Sequence, residues 1–215
     1  MLDLLAPDLA PEQGERLTRE VYRRDFRQRE DRLRDQASWK LERRQHFEEQ
    51  GSPSRDALRR GEWSEALRLL EERRGDLLAL AREDERRGRA FHRVRVVAEP
   101  LTPYMQWQLH SLRQRAEFGE RIRIIDAGAL AAAEDAGGLL PELVVLGDGT
   151  LYQVIYDETG VPDGAIRYTD HALVRSWENY IQQLYEAGED LVSYFERKVS
   201  RLRPPAMTGT TERRE

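Results

Sequence analysis

The stretch HRVRVVAEPLTPYMQWQLHSLRQRAEFGERIRIID, residues 92–126, carries the signals of a strand, a helix and a second strand in succession. The valine-rich run 94–97 is typical of a strand. Thr102 followed by Pro103 is typical of a helix start, because threonine caps free N–H groups and proline fits the first helical position. An isoleucine-rich run at 121–126 predicts the second strand. If the two strands lie parallel in one sheet, the stretch forms a βαβ-like unit.

The sequence after this unit predicts further strands and a long closing helix. The segments LVVLGD, LYQVIYD and AIRYTD, which begin at residues 143, 151 and 165, predict three antiparallel strands joined by tight turns. Asp170 is placed to cap the helix that follows. We therefore expect an α/β fold, with a mixed sheet of about five strands flanked by helices. An apolar series between residues 62 and 87, with a candidate break at Gly75, predicts a helix that packs on the sheet.

The first 50 residues differ in composition from the rest of the chain. From residue 17 to residue 50, charges of alternating sign dominate at helical spacing, and apolar residues are sparse. This pattern predicts a charged helical arm over residues 1–50, an α/β domain over 51–202 and a disordered tail over 203–215. Aromatic residues interleaved with arginine are typical interface anchors. We therefore expect the arm to dock a protein partner through Tyr22, Phe26, Trp39 and Phe47.

The composition limits the classes of partner. A net charge of −5 and a pI near 5.6 disfavour binding to phosphate backbones and anionic membranes. No apolar run approaches the roughly 20 residues of a transmembrane helix, and the first residues lack the basic start of a signal peptide. These features favour a cytoplasmic protein without a membrane partner. Homo-oligomerisation is left open.

Motif searches find no catalytic constellation. None of the four histidines stands in HExxH spacing, and the chain has no cysteine, so no metal site is predicted. Gly-rich phosphate loops and GxSxG nucleophile turns are also missing. We therefore expect no cofactor and lean away from an enzyme.

Two groups of residues are candidates for binding. A helix that follows a strand and a proline turn is a common ligand position in α/β proteins, and here it carries Tyr104, Gln106, Trp107, Gln108 and His110. Packing on the sheet explains these side chains as well. Arginines at 93, 95, 121 and 123 share a face if their strands are neighbours, where they would bind an anion or an acidic partner. Alternatively, these arginines lie on a solvated face of the sheet and form ion pairs with Glu99 and Glu120. The predicted binding set is Arg95, Tyr104, Trp107, Gln108, His110 and Arg123.

The segments WKLERRQHF, VRVVAEPLTPYMQWQLHSLRQRAEFGERIRIID and LPELVVLGDGTLYQVIYDETG resemble a family of uncharacterised actinobacterial proteins. Their most specific features are the PLTPY turn, the GERIRI strand entry and the VLGD…YD strand pair. The likeness covers about residues 20–200. Members are typically encoded beside helix-turn-helix regulators, so the resemblance implies a regulatory or partner-binding role. That implication is an association and gives no mechanism.

The order of strands and helices from RIRIID to WENYIQQLYEAG is also similar to one half of a phospholipase D-like domain. Such domains act through a His-x-Lys motif. At the corresponding place this chain has Leu140 and Glu142, and no histidine has lysine two residues on. The likeness therefore implies a catalytically dead half domain.

These observations favour a non-catalytic accessory binding protein that acts with a partner such as a helix-turn-helix transcriptional regulator. One alternative is a phosphodiesterase or nuclease of phospholipase D-like ancestry. Another is nucleic-acid binding through the Arg-rich arm, which a steep salt dependence would reveal.

Overall fold

The computed structural model describes residues 5–205 of the chain. The strands are β1 Glu15–Leu17, β2 Ala37–Glu42, β3 Ala90–Val97, β4 Arg121–Asp126, β5 Leu143–Leu146, β6 Thr150–Tyr156, β7 Pro162–Tyr168 and β8 Glu189–Asp190. The α-helices are α1 Arg19–Glu30, α2 Pro53–Arg59, α3 Trp63–Glu72, α4 Arg74–Arg86, α5 Pro103–Glu117, α6 Ala131–Gly137, α7 His171–Ala187 and α8 Leu191–Lys198. Short 3₁₀ turns at Pro11–Gln13 and Ala127–Leu130 complete the described elements.

The strands form one mixed sheet in the order β1-β7-β6-β5-β2-β3-β4-β8. Strands β2, β3 and β4 are parallel, and the other pairings are antiparallel. The predicted βαβ unit is confirmed as β3, α5 and β4, and the three predicted antiparallel strands are confirmed as β5, β6 and β7. The mixed sheet flanked by helices is also confirmed, but it has eight strands, not the expected five.

The helix expected across residues 17–50 is wrong beyond α1, because Ala37–Glu42 forms strand β2. This strand lies between β5 and β3, where its alternating side chains face two packed layers. Strand β1 also joins the sheet, at the edge beside β7. The first 50 residues therefore contribute strands to the common sheet, and the expectation of a separate helical arm is not confirmed.

The two faces of the sheet are covered differently. On one face, α7 packs its Trp177 and Ile181 on a continuous apolar layer that includes Leu41 and Val94. On the other face, α1 covers β5, β6 and β7, while α5 and α8 cover β3 and β4. Charged residues of β2 and β3 form the floor between α1 and α5. This gap positions the site described below.

The helix predicted between residues 62 and 87 is two helices, α3 and α4, and neither packs mainly on the sheet. Ala66 and Leu70 of α3 pack with Trp107 of α5 and with α2. Within the described chain, no helix combines the length and the apolar character required to cross a bilayer. The expected tail from 203 to 215 lies largely outside the described residues, which end at residue 205.

Candidate functional site

A cleft of about 550 Å³ opens between α1 and α5, over β2 and β3. We call it the basic cleft. Its charged lining consists of five cationic side chains and three carboxylates. The cations are Arg19, Lys40, Arg73, Arg93 and Arg115, and the carboxylates are Glu42, Glu48 and Glu49. The cleft is therefore positive in a chain whose net charge is −5.

Strand register places the charged floor of this cleft. Lys40 lies beside Arg93, and Glu42 lies beside Arg95 in the parallel pair β2–β3. Because side chains alternate along a strand, all four point to the same face of the sheet. Leu41 and Val94, between them, point into the opposite apolar layer. The loop after β2 then carries Glu48 and Glu49 to the rim of the cleft.

Glu42 is the buried acid at the centre of the floor. Its Oε1 accepts a hydrogen bond from Arg93 Nη1 at 2.6 Å and pairs with Lys40 Nζ at 2.6 Å. Its Oε2 has no hydrogen-bond partner in the described part of the chain. Burial alone would raise the pKa of Glu42, but the charges of Arg93, Lys40 and Arg95 outweigh it and hold the pKa far below its usual value. Glu42 is therefore ionised and offers one acceptor oxygen.

Arg95 is fully buried and holds the loop after β2 in place. Its Nε donates to Gln108 Oε1 at 2.9 Å, and its Nη atoms donate to the backbone carbonyls of Glu42 at 3.0 Å and Arg44 at 2.6 Å. Burial lowers the pKa of Arg95, and nearby Glu42 opposes that effect. Because its donors are already used inside the fold, Arg95 has a positioning role behind the cleft.

Two cations of the cleft have few partners: Arg73, which makes no side-chain hydrogen bond or ion pair among the described residues, and Arg115 of α5. Arg115 makes no side-chain hydrogen bond within residues 5–205, and its closest carboxylate is Glu120, with Nη1 and Oε2 3.6 Å apart. Glu120 is already bound to Arg93 Nε at 2.5 Å. Burial lowers the pKa of Arg115, and the positive charges of Arg93 and Arg73 lower it further. An anion beside Arg115 would relieve this repulsion.

The predicted binding residues separate into two groups. Gln108 lines the basic cleft. Arg95 and Tyr104 lie behind it, where Tyr104 donates its hydroxyl to Glu49 Oε1 at 2.9 Å. Trp107 is buried and donates Nε1 to Ser54 Oγ at 2.8 Å, so it anchors α2. His110 lies elsewhere, with its ring edge against Trp63 and Phe195.

The expectation that all four strand arginines share a face is wrong. In the β3–β4 register, Arg93 lies beside Ile122, and Val94 lies beside Arg123. This offset of one residue sends Arg121 and Arg123 to the opposite face from Arg93. There Arg123 stands over the ring of Tyr185, with its Nη1 3.4 Å from the carbonyl of Gly188.

The four aromatic side chains expected to form an exposed docking surface pack against neighbouring residues of the fold, and three of them are half-buried. Tyr22 and Phe26 lie against Tyr152 of the sheet. Trp39 stacks on His92 with ring centroids 4.0 Å apart, on the α7 face. Phe47 is buried. These side chains therefore belong to the common fold and not to a separate arm, and their role in docking a partner stays a prediction.

Sequence reasoning missed Lys40, Glu42, Arg73 and Arg115. The available signal was the alternation of WKLE at residues 39–42, which puts lysine and glutamate on one face of a strand. Lys40 is also one of only two lysines in an arginine-rich chain. Reading this segment as helix hid the pattern.

Comparison with known proteins adds a family match. The model of a family described as "Domain of unknown function (DUF6879)" matches residues 24–196. That range contains every residue of the basic cleft discussed here except Arg19. No curated protein matches the chain.

Proposed function

We propose that this chain, which belongs to the family described as a domain of unknown function (DUF6879), is a binding protein whose basic cleft takes a small anion. The anion is a phosphate or a carboxylate, since both match the planar donor fork of arginine. The observation that carries the proposal is Arg115, a half-buried cation that makes no hydrogen bond in the described residues and lies beside Arg93 and Arg73.

The energetics favour an anion in this position. A charge that is partly removed from water is costly unless it is paired, and the cations that line the cleft outnumber the carboxylates that line it by five to three. Oε1 of Glu42 already pairs with Arg93 and Lys40, and Oε1 of Glu120 pairs with Arg93. A bound anion would supply the missing acceptors for Arg115 and Arg73. The unpartnered Oε2 of Glu42 would favour an anion that also carries a hydroxyl or another hydrogen-bond donor.

The cleft position also agrees with the location of ligand sites in other α/β folds. Glu42 ends strand β2, and the following loop forms one rim of the cleft. Ligands of sheets with parallel strands commonly bind beyond the carboxyl ends of those strands. The volume of about 550 Å³ lies within the usual range for small-molecule sites.

We place the same protein in the cytoplasm and give it an accessory role, in which anion binding changes its affinity for a partner such as a helix-turn-helix regulator. This part of the proposal rests on the family resemblance, which implies that such proteins are encoded beside helix-turn-helix regulators. Gel filtration of the purified protein with a candidate helix-turn-helix regulator, with and without the anion, tests the role. If the anion does not change the co-elution of the two proteins, the link between anion binding and partner affinity is refuted.

The anion site is tested with Arg115→Gln. Loss of a charged hydrogen-bonding partner costs about 1.5–3 kcal/mol, so we expect phosphate to bind the variant at least tenfold more weakly. Isothermal titration with inorganic phosphate, at constant ionic strength set by chloride, measures the change. Wild-type binding should be saturable and should weaken as salt is raised.

The matched control is Arg113→Gln, two residues away on the same helix. Arg113 pairs with Glu117 and Glu196 and does not line the basic cleft. Its variant should bind phosphate as the wild type does. Equal losses for both variants, or no saturable binding of phosphate, acetate or citrate by the wild type, would refute the proposal.

A further inference from the structure

A second cavity, of about 440 Å³, adjoins the basic cleft. Arg93 and Arg115 line both, so the two spaces meet at these side chains. The second cavity lies between α1, α4 and the end of α5, at the opposite end of β3 from Arg95. We call it the aromatic cavity.

The walls of this cavity are rich in phenylalanine. Three of the five phenylalanines in the chain meet there from three separate elements: Phe26 of α1, Phe91 of β3 and Phe118 just after α5. All three are half-buried. Leu77, Leu80 and Ala81 of α4 complete the apolar lining. Aromatic walls of this kind favour a flat ring, which stacks face-on or edge-on against them.

The rim of the aromatic cavity is acidic, unlike the basic cleft. Four carboxylates line it, against three arginines. Asp84 pairs with Arg89, and Glu120 pairs with Arg93. Glu30 and Glu85 form no ion pair with any residue between 5 and 205. Their oxygens can therefore accept hydrogen bonds from ring N–H or amino groups of a ligand.

We infer that the ligand is an aromatic anion of the nucleoside phosphate class, with its phosphate in the basic cleft and its ring in the aromatic cavity. This inference rests on the proposed function, since it assigns the anion of that site. Arg93 and Arg115 stand where the two cavities meet, and the basic cleft on one side of them would hold the phosphate. On their other side lie the phenylalanines and the acidic rim, which match a planar base with exocyclic donors.

The test compares probes that share the phosphate and differ in the attached group. Isothermal titration would use ribose 5-phosphate, octyl phosphate, and the 5′-monophosphates of adenosine and guanosine. Stacking of one base on aromatic side chains typically strengthens binding by tenfold or more. We therefore expect at least one nucleotide to bind tenfold or more tightly than ribose 5-phosphate. Octyl phosphate should not match it.

Phe91→Ala should remove that advantage and leave ribose 5-phosphate affinity within twofold of the wild type. If this variant fails to fold, Phe118→Leu replaces it, since Phe118 lies outside the sheet. Leu78→Ala is the control, because Leu78 is on α4 but does not line the cavity. It should leave every affinity unchanged.

The outcomes separate the two proposals. The aromatic inference would be overturned if ribose 5-phosphate bound in an Arg115-dependent way and no nucleotide bound more tightly. It would also be overturned if octyl phosphate bound most tightly. Either result would leave the anion site intact. Absence of binding for every phosphate and carboxylate probe would overturn both.

Discussion

Glu142, just before β5, is a buried carboxylate outside the lining of the basic cleft. Its Oε1 accepts hydrogen bonds from the backbone N–H groups of Arg43, at 2.8 Å, and Arg44, at 2.5 Å. Its Oε2 has no partner in the described residues. Burial raises the pKa of Glu142 to about 7, although the N–H of Arg44 opposes the shift and the charge of Glu42 adds to it. Glu142 therefore changes its charge near neutral pH.

This raised pKa predicts a pH-dependent loss of stability. Between the usual pKa, near 4.5, and the folded value, near 7, the folded state holds the Glu142 proton more tightly than the unfolded state. Stability therefore falls as pH rises through this window and levels off above it. We expect wild-type protein to lose roughly 2–3 kcal/mol relative to Glu142→Gln between pH 5 and pH 8. Urea unfolding of both proteins at the two pH values measures the difference.

The control for this experiment is Glu158→Gln. Glu158 is exposed in the turn between β6 and β7, so its substitution should leave the pH dependence of the wild type unchanged. A Glu142→Gln variant that follows the wild-type curve at both pH values would contradict the assignment.

Single residues also show how far the site could be predicted from the sequence. The strand and proline turn before α5 predict a ligand position at Tyr104 and Gln108, and in the fold Gln108 lines the cleft while Tyr104 lies behind it. Arg95 is predicted from the arginines that alternate along the strands, and it is buried behind the cleft. Arg115 has no such local signal, because the neighbouring cations Arg93 of β3 and Arg73 between α3 and α4 meet it only in the folded chain. Sequence periodicity reports which face a residue occupies on its own element, but it does not report its neighbours.

At the scale of elements, local signals placed most helices and strands well. Helix α5 begins where the Thr102-Pro103 pair predicts, and Thr102 Oγ1 accepts a hydrogen bond from the N–H of Met105 at 3.1 Å. Asp170 caps α7 in the same way through the N–H of Leu173. These starts were predictable because a cap depends on residues three apart. Strand β2 was not predictable from local signals, because it is held in the sheet by pairing with β3 and β5, which are distant in sequence.

Thr102→Ala tests the cap of α5. The substitution leaves the N–H of Met105 without its partner, so we expect the free energy of unfolding to fall by about 1 kcal/mol. Urea denaturation measures this change through the midpoint at an unchanged slope. Thr102→Ser keeps the hydroxyl and should restore most of the loss. An alanine variant as stable as the wild type would show that the cap contributes little.

At the scale of the molecule, the sheet joins the first 42 residues to the rest of the chain. Leu41 is fully buried, and β2 pairs with strands on both sides. We therefore expect residues 51–215, expressed alone, to lack a cooperative unfolding transition, because the removal of β2 divides the sheet. Circular dichroism during urea titration checks this outcome.

Removal of residues 1–8 alone is the comparison for that experiment. These residues precede β1, and the described ones among them are mainly exposed, so the midpoint of unfolding should change little. Cooperative unfolding of residues 51–215 would instead restore the idea of a separable N-terminal arm.

The central position of β2 also has a consequence for biosynthesis. Glu42 leaves the ribosome 51 residues before its partner Arg93, and Lys40 leaves it about a hundred residues before Val144 of β5. At about 5–20 residues per second, the nascent strand waits on the order of 5–20 seconds for its second neighbour. During that time its charged side chains stay hydrated, and the floor of the cleft assembles only after β3 has been synthesised.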